Sequence, residues 1–457
     1  MFLIGHGISV RSDLPIPEWL FGWAAAMVLV VSFVALAVLW PEPRLQKPAW
    51  RPLPWGIGRF LTSRPVEIVC GSIGVLLLGL VIYAGLRGID IPEANFASLF
   101  VYIAFWVGLV PLSVLFGDVF RAFNPWRAIG RAAAWVARTV SRGDELPAPL
   151  GYPAWLGRWP AAVGLFAFTA LELVAADGDK PEPVAIAALV YTALTFIGMA
   201  LYGVERWIER GEAFSVYFNM FSRLSPFERR EGEIGLRRPL SGLPSLEMLP
   251  GTVAVLAVMI GTVTFDGASE APTWSGISPD IAQFFQDAGL SPQRAFEAAF
   301  LIGLTGAVLL VGGFYRLGIQ GAKSVGGGFS ASRLANEFVH SLAPIALAYV
   351  AAHYFTLLLF DGQRMFYAVS DPLGQGDDIF GTAGTQPDFG YIGANAIWYW
   401  QVGFVVAGHV AALVLAHDRA LAIYRDRALG VRSQYWMLAI MVGFTSLALW
   451  LLSQANA

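Results

Sequence analysis

The stretch DGDKPEPVAIAALVYTALTFIGMALYGVERWIER, residues 177–210, decides the fold. Its middle, residues 183–205, is an almost unbroken apolar run, and about 20 such residues wound as an α-helix cross the hydrocarbon layer of a bilayer. Asp177, Asp179 and Glu182 precede the run, and Arg206 and Arg210 follow it. Basic residues near the ends of membrane helices are retained on the cytoplasmic side, so the same stretch also gives a direction of crossing. Pro181 suits the first helical turn, where its missing amide proton leaves no donor unpaired.

Runs of this kind recur at residues 18–40, 67–87, 96–117, 157–176, 183–205, 250–266, 293–316, 334–360, 394–418 and 433–453. The chain is 56% hydrophobic and 14% charged, whereas a soluble domain carries about a quarter of its residues as charges. The formal charge of -3 hides a strong asymmetry. Taken loop by alternate loop, twenty-five of the thirty Lys and Arg residues fall on one side, and the other side keeps Arg11, Arg87, Lys180, Arg294 and Arg364 among many acids. The expected fold is an all-α, polytopic transmembrane bundle of about ten helices, a single integral membrane domain over residues 1–457. It is expected in the cell inner (plasma) membrane with both termini extracytoplasmic. The first sixteen residues lack a basic region and a small-residue cleavage site, so no cleaved signal peptide is expected.

Two cytoplasmic segments read as helices lying in the membrane surface. Residues 119–140 put Phe123, Trp126, Ile129, Ala133, Val136 and Val140 near one stripe with arginines on the flanks, and residues 212–227 repeat the idea with fewer charges. The segments at 267–292 and 361–393 read as external loops, the first with a short helix from Pro279 to Ala288 and the second as a Gly- and Asp-rich cap. The cap has no phosphate-cradling glycine order. The single cysteine, Cys70, excludes an internal disulfide and every multi-cysteine metal site.

Ionisable side chains are expensive inside a membrane, so those within the runs are candidates for function. His340 and His353 sit in run 334–360 at two depths, separated by about 20 Å of helical rise. His409 and His417 sit in run 394–418, and the antiparallel course of the two runs offers His340–His417 as the pair best matched in depth. Glu337 shares a face with His340, Tyr349 shares one with His353, and Pro344 is expected to kink the helix between the histidines. Glu172 in FAFTALELVAA is the other outlier, whereas Glu297 reads as interfacial. His6, His353, Asp377 and Asp378 form a candidate metal set, with Asp388 nearby in the cap. Imidazole and carboxylate donors suit a transition metal ion, and the histidine spacing suits haem poorly. No HExxH, GxSxG or CxxC motif is present.

The start SDLPIPEWLFGWAAAMVLVVSFVALAVLW, the internal FNPWRA and YFNMFSRLSPF, and the segment HSLAPIALAYVAAHYFTLLLFDGQ together resemble a group of actinobacterial multi-pass membrane proteins labelled fenitrothion hydrolase. The resemblance implies cleavage of an organophosphate triester and carries no residue-level mechanism with it. In related chains the His–Gly near the start follows a longer hydrophobic leader, while only MFLIG precedes His6 here.

Three readings follow. The first is a permease for a small polar solute or metal ion, with proton coupling, through a cavity lined by Glu172, Glu337, His340, Tyr349, His353 and His409. The second is a membrane-bound, metal-dependent hydrolase working through His353, Asp377, Asp378 and Asp388. The third is a structural subunit that presents its cytoplasmic segments to a protein partner or to a second copy. The expected partners are the lipid bilayer and a small solute or ion, and no nucleic acid.

Overall fold

The computed structural model describes residues 18–46, 49–141 and 148–454. In chain order the principal helices are α1 (Glu18–Leu39), α2 (Arg64–Arg87), α3 (Phe96–Phe116), α4 (Pro125–Val140), α5 (Trp159–Leu173), α6 (Pro181–Tyr202), α7 (Val204–Arg210) and α8 (Ala213–Ser222). They are followed by α9 (Thr252–Ser269), α10 (Pro272–Asp287), α11 (Pro292–Ser324), α12 (Ala331–His353), α13 (Ala394–Ile423) and α14 (Tyr435–Gln454). Among the described residues eight helices are long and apolar enough to cross a bilayer: α1, α2, α3, α6, α9, α11, α12 and α13. The fourth and tenth apolar runs are occupied by α5, with 15 residues, and α14, with 20.

Close packing comes from small residues. A Cβ on Gly261 of α9 would lie 2.6 Å from Val308 Cα of α11, and one on Gly408 of α13 would lie 2.4 Å from Ala348 Cβ of α12. Lipid offers no hydrophobic incentive for helices to associate, so such backbone approach supplies the dispersion contacts that hold them. The Gly408 contact also joins α12 directly to α13, where the permease reading expected a cavity.

The alternating loops collect at two ends. At the basic end Glu67 accepts hydrogen bonds from Arg131 (2.8 Å) and Arg229 (2.9 Å), and Glu205 accepts from Arg121 (2.7 Å) and Arg127 (3.0 Å). A small antiparallel sheet caps this end, formed by β1 (Trp50–Pro52), β2 (Phe227–Arg230) and β3 (Glu233–Arg237) in the order β1-β3-β2. The helical periodicities gave no sign of it. Burial pulls the Arg237 guanidinium down to about 10, and it is held by Glu228 at 3.1 Å and by the carbonyls of Ser222 and Ser225. At the opposite end Ile89 N–H donates to Leu373 O (2.9 Å), Phe96 N–H to Pro372 O (3.1 Å), and Lys180 meets Asp90 at 3.7 Å.

Two expectations are corrected. The segment 212–227 is not a surface helix: α8 is buried along nearly its whole length, packed among α3, α5 and α12, and its chain then runs into β2. A helix made of Phe, Tyr, Met and Ser has no strongly polar face to leave in water, so it can be enclosed on all sides. By contrast α4 keeps Trp135, Val136 and Val140 exposed beside its arginines. The segment 267–292 is no simple loop, because α10 starts at Pro272 rather than Pro279 and lies along α11. Two helices lose α geometry as well. In α12 a 3-10 turn at Val339–Leu342 precedes Pro344, which cannot donate to the carbonyl of His340. In α3, Phe100–Val107 is a π-helix in which Gly108 N–H reaches Ile103 O, five residues back, at 2.8 Å.

Asp418, fully buried near the basic end of α13, fastens the exit of α1. Its carboxylate accepts from Trp40 Nε1 (3.0 Å), Gln46 Nε2 (2.7 Å) and the backbone N–H groups of Arg44 and Leu45. Asp418→Ala leaves these donors without an acceptor and is expected to destabilise the fold by about 3 kcal/mol. The measurement is thermal unfolding of the purified protein in detergent, and an unchanged midpoint would refute the anchoring role.

Candidate functional site

Polar side chains converge away from the basic end. Asp266 lies fourteen residues beyond the first residue of α9, and Glu172 thirteen beyond that of α5, so both stand about 20 Å from helix starts at the basic end. His353 closes α12 and Tyr354 follows it at a break before the short helix Phe355–Leu359. Asp266 Oδ2 takes two donors, His353 Nε2 at 3.0 Å and the Tyr354 hydroxyl at 2.7 Å. Donation to a carboxylate places the imidazole proton on Nε2. The three residues are 2%, 7% and 2% exposed respectively.

Glu172 completes the group from α5. The residue is half-buried, yet its Oε2 is enclosed and has no hydrogen-bond partner. Asp266 is the charged group within Coulombic reach of it, and the hydroxyls of Tyr102, Tyr217 and Tyr354 are also within reach. Tyr217, on α8, is buried with its hydroxyl unpartnered. Trp106 of the π segment stacks on Tyr217 at 4.3 Å between ring centres, with its own Nε1 unpartnered. Tyr102, on the same segment, donates to Gly178 O at 2.6 Å. Phe168, one turn before Glu172, lies 4.8 Å from Trp106 and 5.9 Å from Tyr102.

Of the residues expected from sequence, this neighbourhood unites Glu172 and His353. The others lie elsewhere. Glu337 stands at the basic end, 3.8 Å from both Arg333 and Arg419. His340 is fully enclosed at the 3-10 turn, away from Asp266 and His353. His417 Nε2 binds Trp40 O at 3.1 Å, so the His340–His417 pair does not form. Tyr349 donates to Phe444 O at 3.3 Å rather than to His353, and its ring is 6.3 Å from that of His409. His409 Nδ1 is bonded to Val405 O at 2.7 Å within its own helix. Each pair had been inferred from face and depth alone, which leave the choice of neighbour open.

The candidate metal set is not assembled. His353 turns inward to Asp266, while Asp377, Asp378 and Asp388 are exposed in the cap. Asp378 accepts from Ala383 N–H at 3.0 Å and Asp388 from Gly390 N–H at 2.8 Å. His6 lies outside the described residues, among which no three His, Cys, Asp or Glu side chains converge to hold a metal ion.

Asp266, Tyr354, Tyr217 and Trp106 are the members that the sequence reading missed. Asp266 ends the apolar run 250–266 and so reads as a loop acid, although the helix continues to Ser269. The aromatic members read as packing. No family model matches the chain, and no curated protein or solved structure matches it.

Dicyclohexylcarbodiimide, an apolar reagent that adds to carboxyl groups, distinguishes the two acids. Asp266 Oδ2 is already committed to two donors and Glu172 Oε2 to none, so Glu172 is expected to be modified first, as read by peptide mass spectrometry. Faster modification of Asp266 would contradict this ranking.

Proposed function

We propose that the chain is a multi-pass permease that moves a small polar solute or ion across the cell membrane and exchanges protons at Glu172 and Asp266. One observation carries the reading: an enclosed carboxylate oxygen of Glu172 with no donor, beside a second carboxylate, Asp266, whose Oδ2 takes two donors. Two carboxylates in a poorly solvated site repel, and the site reaches neutrality only by taking protons or a cation. Binding and release of a proton are thereby coupled to whatever else the site admits. In this reading His353 and Tyr354 fix Asp266 and pass the proton, and Glu172 meets the solute.

The threading that goes with this function has ten crossings, the basic end in the cytoplasm and both termini outside. The helices α5 and α14 supply the two crossings beyond the eight long spans. Position favours transport over hydrolysis, because the polar group lies between helices rather than in the cap, where Asp377, Asp378 and Asp388 face solvent.

The test is reconstitution into liposomes that hold a trapped pH dye, with inward gradients applied from a panel of amines, amino acids, sugars and metal salts. At least one solute is expected to drive proton movement. Glu172→Gln and Asp266→Asn should each slow that movement about tenfold or more, equivalent to ~1.4 kcal/mol, while Arg138→Gln on the exposed face of α4 leaves it unchanged. Flux that survives both carboxyl substitutions sinks the reading. For the threading, small epitope tags at each terminus should be reached by antibody from outside spheroplasts; a tag reached only after lysis would overturn it.

A further inference from the structure

We infer that the solute taken by this site is a small organic cation bearing an ammonium group, held between the Glu172 carboxylate and the aromatic faces of Trp106 and Tyr217. The inference rests on the transport reading for its direction of movement, though binding itself can be measured separately.

The walls are aromatic. Trp106, Tyr217, Phe168 and Tyr102 come from α3, α5 and α8 and contact one another in pairs with ring centres 4.3–5.9 Å apart. Glu172 follows Phe168 by four residues on α5, so both belong to one face of that helix. Ring faces attract cations through their quadrupoles, and an ammonium ion is the cation that combines this attraction with a carboxylate contact.

The unclaimed polar atoms fit the same ligand. Tyr217 is 1% exposed and its hydroxyl, within Coulombic reach of Glu172 and Tyr354, has no partner. With Glu172 Oε2 it offers acceptors to the N–H groups of an alkylammonium. A metal ion of the zinc or calcium type needs four or more nitrogen, sulfur or oxygen donors around it, whereas most of this wall is carbon. The rings touch in this structure, so entry of the cation requires Trp106 and Tyr217 to part. Trp106 stands on the π segment of α3, where regular helical bonding is already given up.

The test is equilibrium binding of radiolabelled methylammonium to the purified full chain in lipid nanodiscs, with ethylammonium, tetramethylammonium, Zn²⁺ and Mn²⁺ as competitors. Saturable binding is expected, displaced by the alkylammonium ions and not by the metals. Glu172→Gln and Trp106→Leu should weaken it about tenfold or more, and Trp106→Phe, which keeps a ring face, should retain most of it. Size-exclusion profiles and melting curves of each variant show whether it folds, and Trp106→Phe decides the matter if Trp106→Leu does not. Absence of methylammonium binding to the wild type, displacement by either metal at equal concentration, or full binding by Glu172→Gln overturns the inference. Proton flux driven by a neutral or metal solute, with no ammonium binding, would leave the permease standing and remove only the cation. Ammonium binding with no solute of the panel driving proton flux would remove the permease and keep the site.

Discussion

A carboxylate inside a helical membrane protein has to be matched by donors, by a proton or by a cation, and the buried acids of this chain separate by which match they have. Asp418 has two side-chain donors and two backbone donors. Glu212 caps α8 through Phe214 and Ser215 N–H at 2.9 and 2.8 Å and also receives Asn124 and Tyr191. Asp371 receives Gln375 and Gly376 N–H at 2.9 and 2.8 Å. Such acids are satisfied by the fold and hold chain exits, caps and turns in place. Glu172 lacks this closure at Oε2, which is the physical difference between an acid that supports structure and one that is free to react with something else.

The same constraint explains the two ends. Arginines at the basic end are tied into shared networks, Glu67 alone engaging Arg127, Arg131 and Arg229. Neutralised in this way, the loops between helices pack on one another and form a sheet rather than trailing in solvent. The opposite end is joined by backbone bonds, as at Ile89–Leu373 and Phe96–Pro372, and by side chains that donate to carbonyls, as Tyr102 does to Gly178 and Gln375 to Arg87. Ion pairs therefore dominate at one end and bonds to main-chain groups at the other, and the acid pair lies nearer the second.

Much of this architecture was legible in the sequence. The apolar runs announce the helices because a hydrocarbon layer admits little else, and Pro344 announces the break in α12 because its nitrogen has no proton to give. Glu172 and His353 stood out for the same reason of cost. Partner choice was not legible. The shared face of Tyr349 and His353 was read correctly as a spacing, but Tyr349 is turned to Phe444 on α14 and His353 to Asp266 on α9. Asp266 hid at the edge of a short apolar run, and α8 hid because a helix with little amphipathic contrast looks alike whether it lies in an interface or inside a bundle.

The frame around the acid pair is uneven in stiffness, and this bears on how it could be reached. The helix that carries Asp266 is locked to α11 by backbone approach at Gly261, and α12 is locked to α13 at Gly408. Substituting any side chain at either glycine would push backbones apart. Of the other walls, α3 is π-helical from Phe100 to Val107, and the chain breaks at Tyr354 between α12 and Phe355–Leu359. Helices that have already exchanged α hydrogen bonds for longer or fewer ones change conformation at lower cost than those held by a full ladder and close-packed glycines. On the transport reading, access to Glu172 would accordingly come from the side of the site that carries Tyr102 and Trp106, while the side that carries Asp266 keeps its geometry.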